Sequence, residues 1–299
     1  MQKIVPHLWF DTQALEAAEL YVSLFEGSKI LNTAMLYDTP SGDAQTVEFQ
    51  LAGFEFAAIS AGPYFAFNSS ISLMVACETK EEVDRLYNTL IDGGSELMPL
   101  DTYDFSQWYA WISDRYGLNW QIMLVENINE HKKIRPSLLF GMEVCGKTQE
   151  AMDYYTSVFT DSKVGYVNHY FEGGAEDHRA KINYAELDIF DLEVVMMDHG
   201  SGGDATFNEA ISFMIQCEDQ KEIDYYWEKL SFVPEAEACG WVKDQFGISW
   251  QIIPKMMEEL LSNGTEKEIE RVTEAFLKMK KFDIAALEKA KNAANENDN

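Results

Sequence analysis

The chain has 299 residues, enough for two domains that each bury a core, and its 46% apolar and 13% aromatic content is that of a globular protein, not a disordered one. A formal net charge of −28 repels phosphate backbones and anionic lipid, which argues against nucleic acid and membrane as partners. The opening "MQKIVPHLWFD" meets an acid before an apolar core can form, and no apolar run reaches membrane-spanning length, so a cytoplasmic location is expected.

The first predicted element is a short β-rich run, "KIVPHLWF". "QALEAAELYVSLF" follows as a helix, with Leu15, Ala18, Tyr21, Val22 and Phe25 at three- and four-residue spacings on one face. "TVEFQLAGFEFAAIS" alternates and is broken by Ala-Gly, which predicts a hairpin, and "SISLMVACE" predicts another strand. "TKEEVDRLYNTLIDGG" reads as a helix that starts on a Thr cap with Glu81 and Glu82 in its first turn and stops at Gly93 and Gly94. "YAWISD" and "LNWQIML" close the half as a hairpin around Arg115 to Gly117. The half is thus two βαβββ units.

The same order then recurs. "VPHLWF" aligns with "RPSLLF", "EAAELYVSLFEGSKI" with "EAMDYYTSVFTDSKV", "GFEFAAIS" with "DLEVVMMD", "FNSSISLMVACE" with "FNEAISFMIQCE", and "WISDRYGLNWQI" with "WVKDQFGISWQI". The expected fold class is α+β, four βαβββ units making two tandem domains at residues 1–128 and 134–254 that pack as an internal pseudo-dimer. The charged "VENINEHKKIRPS" is the joint, and Pro136 opens the second copy. "YFEGGAEDHRAKINYAEL" and "DHGSGGDATFNEA" carry extra length in the second half, and their Gly, Asp and Ser content predicts loops or hairpin tips.

From residue 255 to 299 the chain changes in kind. Thr265 and Glu268 stand in capping-box spacing, and Ile269, Val272, Phe276 and Met279 form an apolar stripe. A helical extension is expected, docked on a domain or joining a second copy of the chain as a homodimer, with a frayed polar tail.

The four units and the repeated closing phrase D-x-[YF]-G-[LI]-x-W-Q resemble the vicinal oxygen chelate superfamily, which groups glyoxalase, bleomycin-resistance and extradiol dioxygenase proteins. "P-x-L-x-F", the helix that follows it and the late "FLKMKKFDIAALEKA" resemble its PhnB-like branch, which carries a demethylubiquinone methyltransferase-like label. The resemblance covers nearly the whole chain. It implies a curled sheet in each domain with a ligand cavity inside.

In metal-using members the closing strand ends in a Glu ligand where this chain has Gln121 and Gln251. A neutral amide oxygen holds a divalent ion less strongly than a carboxylate and cannot act as a base. The other implied ligands are histidines near the starts of the first and middle strands. His7 stands close to the first, with Val5 as the other register, and Ser137 is its counterpart; Ser69, Ser70, Glu209 and Ala210 stand near the second. No metal or other cofactor is expected, and a divalent metal, if one binds, falls to His7, Glu209 and Gln251.

Strand alternation gives Asn119, Gln121 and Met123 one face and Trp120 the other, while Tyr109 pairs with Trp111, Cys239 with Trp241, and Val5 and His7 with Trp9. By resemblance His7, Trp9, Tyr109, Trp111, Gln121, Cys239, Trp241 and Gln251 face the cavities, and Trp120 and Trp250 the core. One cavity combines His7 with Cys239, Trp241, Gln251 and Glu209; the other combines Tyr109, Trp111, Gln121 and Ser70 with Ser137. The first is expected to be the better place for chemistry, having an imidazole and an acid. Three readings stay open: binding of a small aromatic or apolar molecule without metal, a metal-dependent lyase, isomerase or transferase of the glyoxalase type, and methyl transfer. Against the last, no glycine-rich strand-to-helix turn with a downstream acid is present for a nucleotide-type cofactor. Cys77, Cys145, Cys217 and Cys239 form no Cys-x-x-Cys pair, and the histidines form no HxH or HxxxH pair.

Overall fold

The computed structural model describes residues 2–293; the polar tail expected to fray, 294–299, lies outside the described residues. The first unit is β1 (Ile4–Phe10), α1 (Ala14–Leu24), β2 (Lys29–Thr39), β3 (Gly42–Leu51) and β4 (Phe54–Ser60). The second is β5 (Ile71–Cys77), α2 (Lys80–Leu90), β6 (Ser95–Tyr103), β7 (Ser106–Ser113) and β8 (Asn119–Leu124). The third is β9 (Ile134–Phe140), α3 (Thr148–Val158), β10 (Ser162–His169), β11 (Ile182–Ile189) and β12 (Leu192–Asp198). The fourth is a strand short: β13 (Ile211–Cys217), α4 (Gln220–Leu230), β14 (Trp241–Lys243) and β15 (Ser249–Pro254), with a single 3₁₀ turn at Pro234–Ala236 where its counterpart β6 would run.

The strands form two sheets, and each sheet takes one unit from each half. The seven-stranded sheet runs β14-β15-β13-β1-β4-β3-β2 and the eight-stranded sheet β10-β11-β12-β9-β5-β8-β7-β6. The seams are the antiparallel pairs β1 with β13 and β5 with β9. Pro6 and Pro136 sit inside these seam strands. Trp9 and Leu139 turn their N–H groups toward the seam, donating to Ala210 and Ser70, so the prolines' missing N–H lies on the opposite side. There the parallel pairing with β4 or β12 begins only at the next residue, His7 or Ser137, and no ladder bond is lost.

One hydrophobic cluster fills the space between the sheets and includes residues of α1 to α4. Helix α1 buries Ala14, Ala17, Ala18, Tyr21 and Leu24, a face rotated slightly from the expected one, so that Leu15 and Val22 are only partly covered. Thr79 caps α2 by accepting from Glu82 N at 3.2 Å, and the helix buries Val83, Leu86 and Leu90. The stretch expected as loop around "KINYAEL" contains β11. Its alternation buries Ala185, Leu187 and Ile189 on the helix side, and that burial outweighs the polar flanks.

The repeated Asp-x-x-Gly phrase is a structural device. Asp114 accepts from Tyr116 N and Leu118 N at 2.9 and 3.0 Å with one oxygen, and from Trp120 Nε1 and Tyr21 Oη at 2.9 and 2.7 Å with the other. Asp244 repeats this with Phe246 N, Ile248 N, Trp250 Nε1 and Tyr155 Oη at 2.9, 3.0, 2.9 and 2.7 Å. The turn requires Gly117 and Gly247, whose φ values are +87° and +88°. Each tyrosine comes from the helix of the other sheet, so each aspartate ties the sheets together within its half. Burial pushes both carboxyls above the ordinary range, against the four hydrogen bonds that pull them down.

The extension forms α5 (Met256–Asn263), α6 (Glu266–Phe276) and α7 (Ile284–Lys291), with the Thr265–Glu268 capping box in place. Phe213, Ile215 and Cys217 of β13 face the core, so Ser212, Met214 and Gln216 face outward, and Glu258 of α5 accepts from Gln216 Nε2 at 2.8 Å. Helices α5 and α6 therefore lie on the outer face of the seven-stranded sheet, against β2. Beyond them the backbone carbonyls of Met279 and Lys280 accept from Cys239 N and Gly240 N at 2.9 and 2.7 Å, beside the place where the fourth unit lacks its strand.

Two expected outcomes follow from this packing. Asp114→Ala leaves two backbone N–H groups, a phenol and an indole without an acceptor, and unfolding in urea should show a loss of about 4 kcal/mol or more, against roughly 1–3 kcal/mol for Trp120→Phe. A similar small loss in both would mean the aspartate is replaceable by water. At the α5 contact, burial and the neighbouring Glu258 and Glu55 push Glu48 up to about 7. The folded state thus takes up a proton near neutrality that the unfolded chain takes up only at the ordinary carboxylate value, so stability should rise as pH falls through 7. Glu48→Gln should add about 1 kcal/mol at pH 8, after allowance for its partial exposure, and little at pH 5. Thermal unfolding at the two pH values checks this; equal shifts at both would refute it.

Candidate functional site

On the outer face of the eight-stranded sheet, Tyr109 and Trp111 of β7 stand opposite Met123 and Gln121 of β8. Gln121 knots three strands. Its Oε1 accepts from Tyr109 Oη at 2.7 Å, and its Nε2 donates to Ser72 Oγ at 2.8 Å on β5 and to Ser137 Oγ at 3.4 Å on β9. Both ends of the amide are used, which a carboxylate could not do without a proton. Burial drives the Tyr109 phenol far above its ordinary value, so it remains a donor.

Above this floor opens a cavity of about 1000 Å³. One wall is Tyr109, Trp111, Met98 and Met123 from the first half; the facing wall is Tyr166, Asn168, Asn183, Tyr184 and Met197 from the second. The cavity therefore belongs to neither half alone. Trp111 Nε1 and Asn183 Oδ1 are buried at its surface without a hydrogen-bond partner among the described residues. Of the expected site residues, Tyr109, Trp111 and Gln121 line it. Ser70 is buried at the seam instead, its carbonyl accepting from Leu139 N, and Ser72 takes the place beside Gln121.

The facing wall was not legible from the closing phrase. Its one trace is the alternation of "INYAELDI", which sets Tyr184 and Glu186 on the face opposite Ala185 and Leu187. Below that wall Arg135, fully buried, donates to Glu193 at 2.7 Å, Tyr184 at 3.1 Å, His131 at 3.1 Å and Glu186 at 3.5 Å. His131, Glu186 and Glu193 bring ligand atoms within 4.8 Å of one another, the spacing of a metal trio, but the guanidinium that touches all three already supplies the positive charge.

On the other sheet His7, Trp9 and Trp241 come together as their register predicts, but they pack against one another. His7 and Trp241 meet edge to face at 5.8 Å, Trp9 and Trp241 at 6.3 Å, and Phe65 covers Trp9 at 5.1 Å. Gln251 Nε2 donates to Ser212 Oγ at 2.9 Å. Burial alone lowers His7 to about 4, and its Nδ1 makes no hydrogen bond among the described residues. Glu209, grouped with it as a ligand, is held by Lys243 Nζ at 2.6 Å. Burial pushes the Cys239 thiol up, away from a reactive thiolate. The hollows beside α5 and α6, about 330 and 310 Å³, are lined by other residues. Neither outer face offers a divalent ion a charge-balancing set at the floor: one has an amide and two hydroxyls, the other an amide, a hydroxyl and a neutral imidazole. These residues do not fit the metal of the glyoxalase-type site.

Comparison with known proteins places this geometry. Solved structures include the PhnB protein of Bacillus cereus, 38% identical over 42% of this chain and all of its own, with a TM-score of 0.39, and a protein of Pseudomonas aeruginosa, 28% identical over 42% of this chain and 98% of its own, with a TM-score of 0.35. Glyoxalase I of Zea mays is 11% identical, covers 88% of this chain and 98% of its own, and superposes with a TM-score of 0.55, a likeness of fold. No curated protein matches. The model of the 3-demethylubiquinone-9 3-methyltransferase family matches residues 2–123 and again 132–253. The chain belongs to that family, the PhnB-like branch of the vicinal oxygen chelate superfamily, and carries its domain twice.

Proposed function

We propose that the protein binds a small flat aromatic or apolar molecule in the cavity of the eight-stranded sheet, in the cytoplasm and without a divalent metal. The observation that carries this reading is the cavity itself: about 1000 Å³, walled by tyrosine, tryptophan and methionine, over an amide-hydroxyl floor whose hydrogen bonds are already made. Its two unpaired polar atoms, on Trp111 and Asn183, supply orientation. Against a metal-dependent glyoxalase-type reaction stand the neutral amides of Gln121 and Gln251, which hold a divalent ion less strongly than a carboxylate, and methyl transfer, the chemistry in the family's name, needs a donor cofactor for which the chain has no glycine-rich cradle.

Titration with a flat aromatic compound, followed by tryptophan fluorescence, tests the proposal. Trp111→Ala should weaken binding by about 1–3 kcal/mol, the loss of one stacked face, while Trp241→Ala should change it little. Equal losses in both, or unchanged affinity in Trp111→Ala, would place the site elsewhere. Protein dialysed after incubation with zinc, nickel or manganese should retain less than one equivalent, and stoichiometric retention abolished by Gln121→Ala would overturn the metal-free reading.

A further inference from the structure

The same cavity carries a charge that the aromatic walls alone do not require. Among the described residues four carboxylates line it, Asp104, Glu130, Glu186 and Asp198, with His131 and His199 and neither lysine nor arginine. Three of the four accept hydrogen bonds within the protein, Glu186 from Tyr184 Oη at 2.8 Å, Tyr166 N at 3.3 Å and Arg135 at 3.5 Å. Asp198 is caged by Gly146 N, the N–H and hydroxyl of Thr148, Lys181 N and Ile182 N. Glu130 accepts from Asn127 Nδ2 at 2.8 Å. Arg135 lies behind the wall with its closest contact on Glu193, not Glu186, so one guanidinium faces two carboxylates and leaves negative charge on the cavity side. The rims add π faces: Phe105 at the β6–β7 tip is 60% exposed and Tyr166 on β10 is 61% exposed, with Tyr170 and Tyr184 deeper in.

We infer that the cavity selects a cation: a flat aromatic or alkylated ammonium-type molecule whose charge lies among tyrosine and tryptophan faces and meets Glu186 and Asp104. A positive centre over an aromatic face gains from the ring quadrupole, and it gains again from carboxylates that outnumber the cation beside them in a partly desolvated site. The unpaired Asn183 Oδ1 would accept from an N–H of such a ligand, and Trp111 Nε1 would donate to an oxygen on it. An anion such as a phosphate, phosphonate or thioester carboxylate would meet four acids and, among basic groups, only the imidazoles of His131 and His199. The inference rests on the cavity being the binding site and adds the charge of what binds.

The test compares three probes of one shape, N-methylacridinium, acridine and acridine-9-carboxylate, by equilibrium dialysis at pH 8 in 150 mM salt. That salt screens the general attraction of a chain with net charge −28. The cation should bind with one-to-one stoichiometry and on the order of tenfold tighter than the carboxylate, and Glu186→Gln should shrink that ratio by about threefold. Asp104→Asn, on an exposed turn, serves as the second variant if thermal unfolding shows that Glu186→Gln does not fold. Equal binding of all three probes would overturn the charge selection and leave the cavity reading intact. A preference that survives both substitutions would assign it to the overall field and overturn the inference. If none of the probes binds, the cavity reading fails and this one with it.

Discussion

A buried carboxylate at the corner of each half, Asp114 or Asp244, is the contact on which the architecture depends. Each collects two backbone N–H groups from its own turn, an indole N–H from the closing strand and a phenol from a helix on the opposite sheet. Only an acid offers four acceptor positions on two oxygens and no donor to misplace. Burying it is costly, and the raised carboxyl values show desolvation outweighing four favourable bonds. The arrangement persists because removing the acceptor would strand four donors inside one core. The same atoms hold the closing strand in register, and that register points Gln121 and Gln251 outward while Trp120 and Trp250 point in.

Duplication would make two equivalent outer faces, and the structure makes them unequal. Because the seams join β1 to β13 and β5 to β9, each outer face draws on both copies, and differences between the copies appear as differences across one site. The seven-stranded sheet has lost a strand and carries α5 and α6 on its outer face. Its aromatic and imidazole rings pack on one another. The eight-stranded sheet keeps its strands, its outer face stays open, β10 contributes Tyr166 to the wall, and the extra length of the second copy contributes Tyr170 and Gly200.

Chemistry at the open face is set by what the floor lacks. Gln121 carries no charge to balance an ion, its amide is already held by Tyr109, Ser72 and Ser137, and its hydroxyl neighbours are neutral. A fold that elsewhere in the superfamily supports metal-assisted reactions here supports an aromatic pocket with acids in its walls, which is the ordinary way one scaffold serves several purposes.

Much of this was readable in the residues themselves. The repeat, the strand alternation that separates Trp111 and Gln121 from Trp120, the Thr79 and Thr265 caps and the Ala-Gly hairpin break are local signals, because period, cap chemistry and turn preference act within a few residues. The missing strand near Pro234, the strand inside "KINYAEL" and the buried Arg135 among Glu186, Glu193 and His131 were not. Nor was the allotment of the large cavity to Tyr109, Trp111 and Gln121 and the close packing of His7 with Trp241. Those outcomes depend on which strand pairs with which across the seams and on where the extension docks. They are decided by contacts between residues far apart in the chain, 42 positions for Gln216 with Glu258 and 234 for His7 with Trp241, which no local pattern encodes.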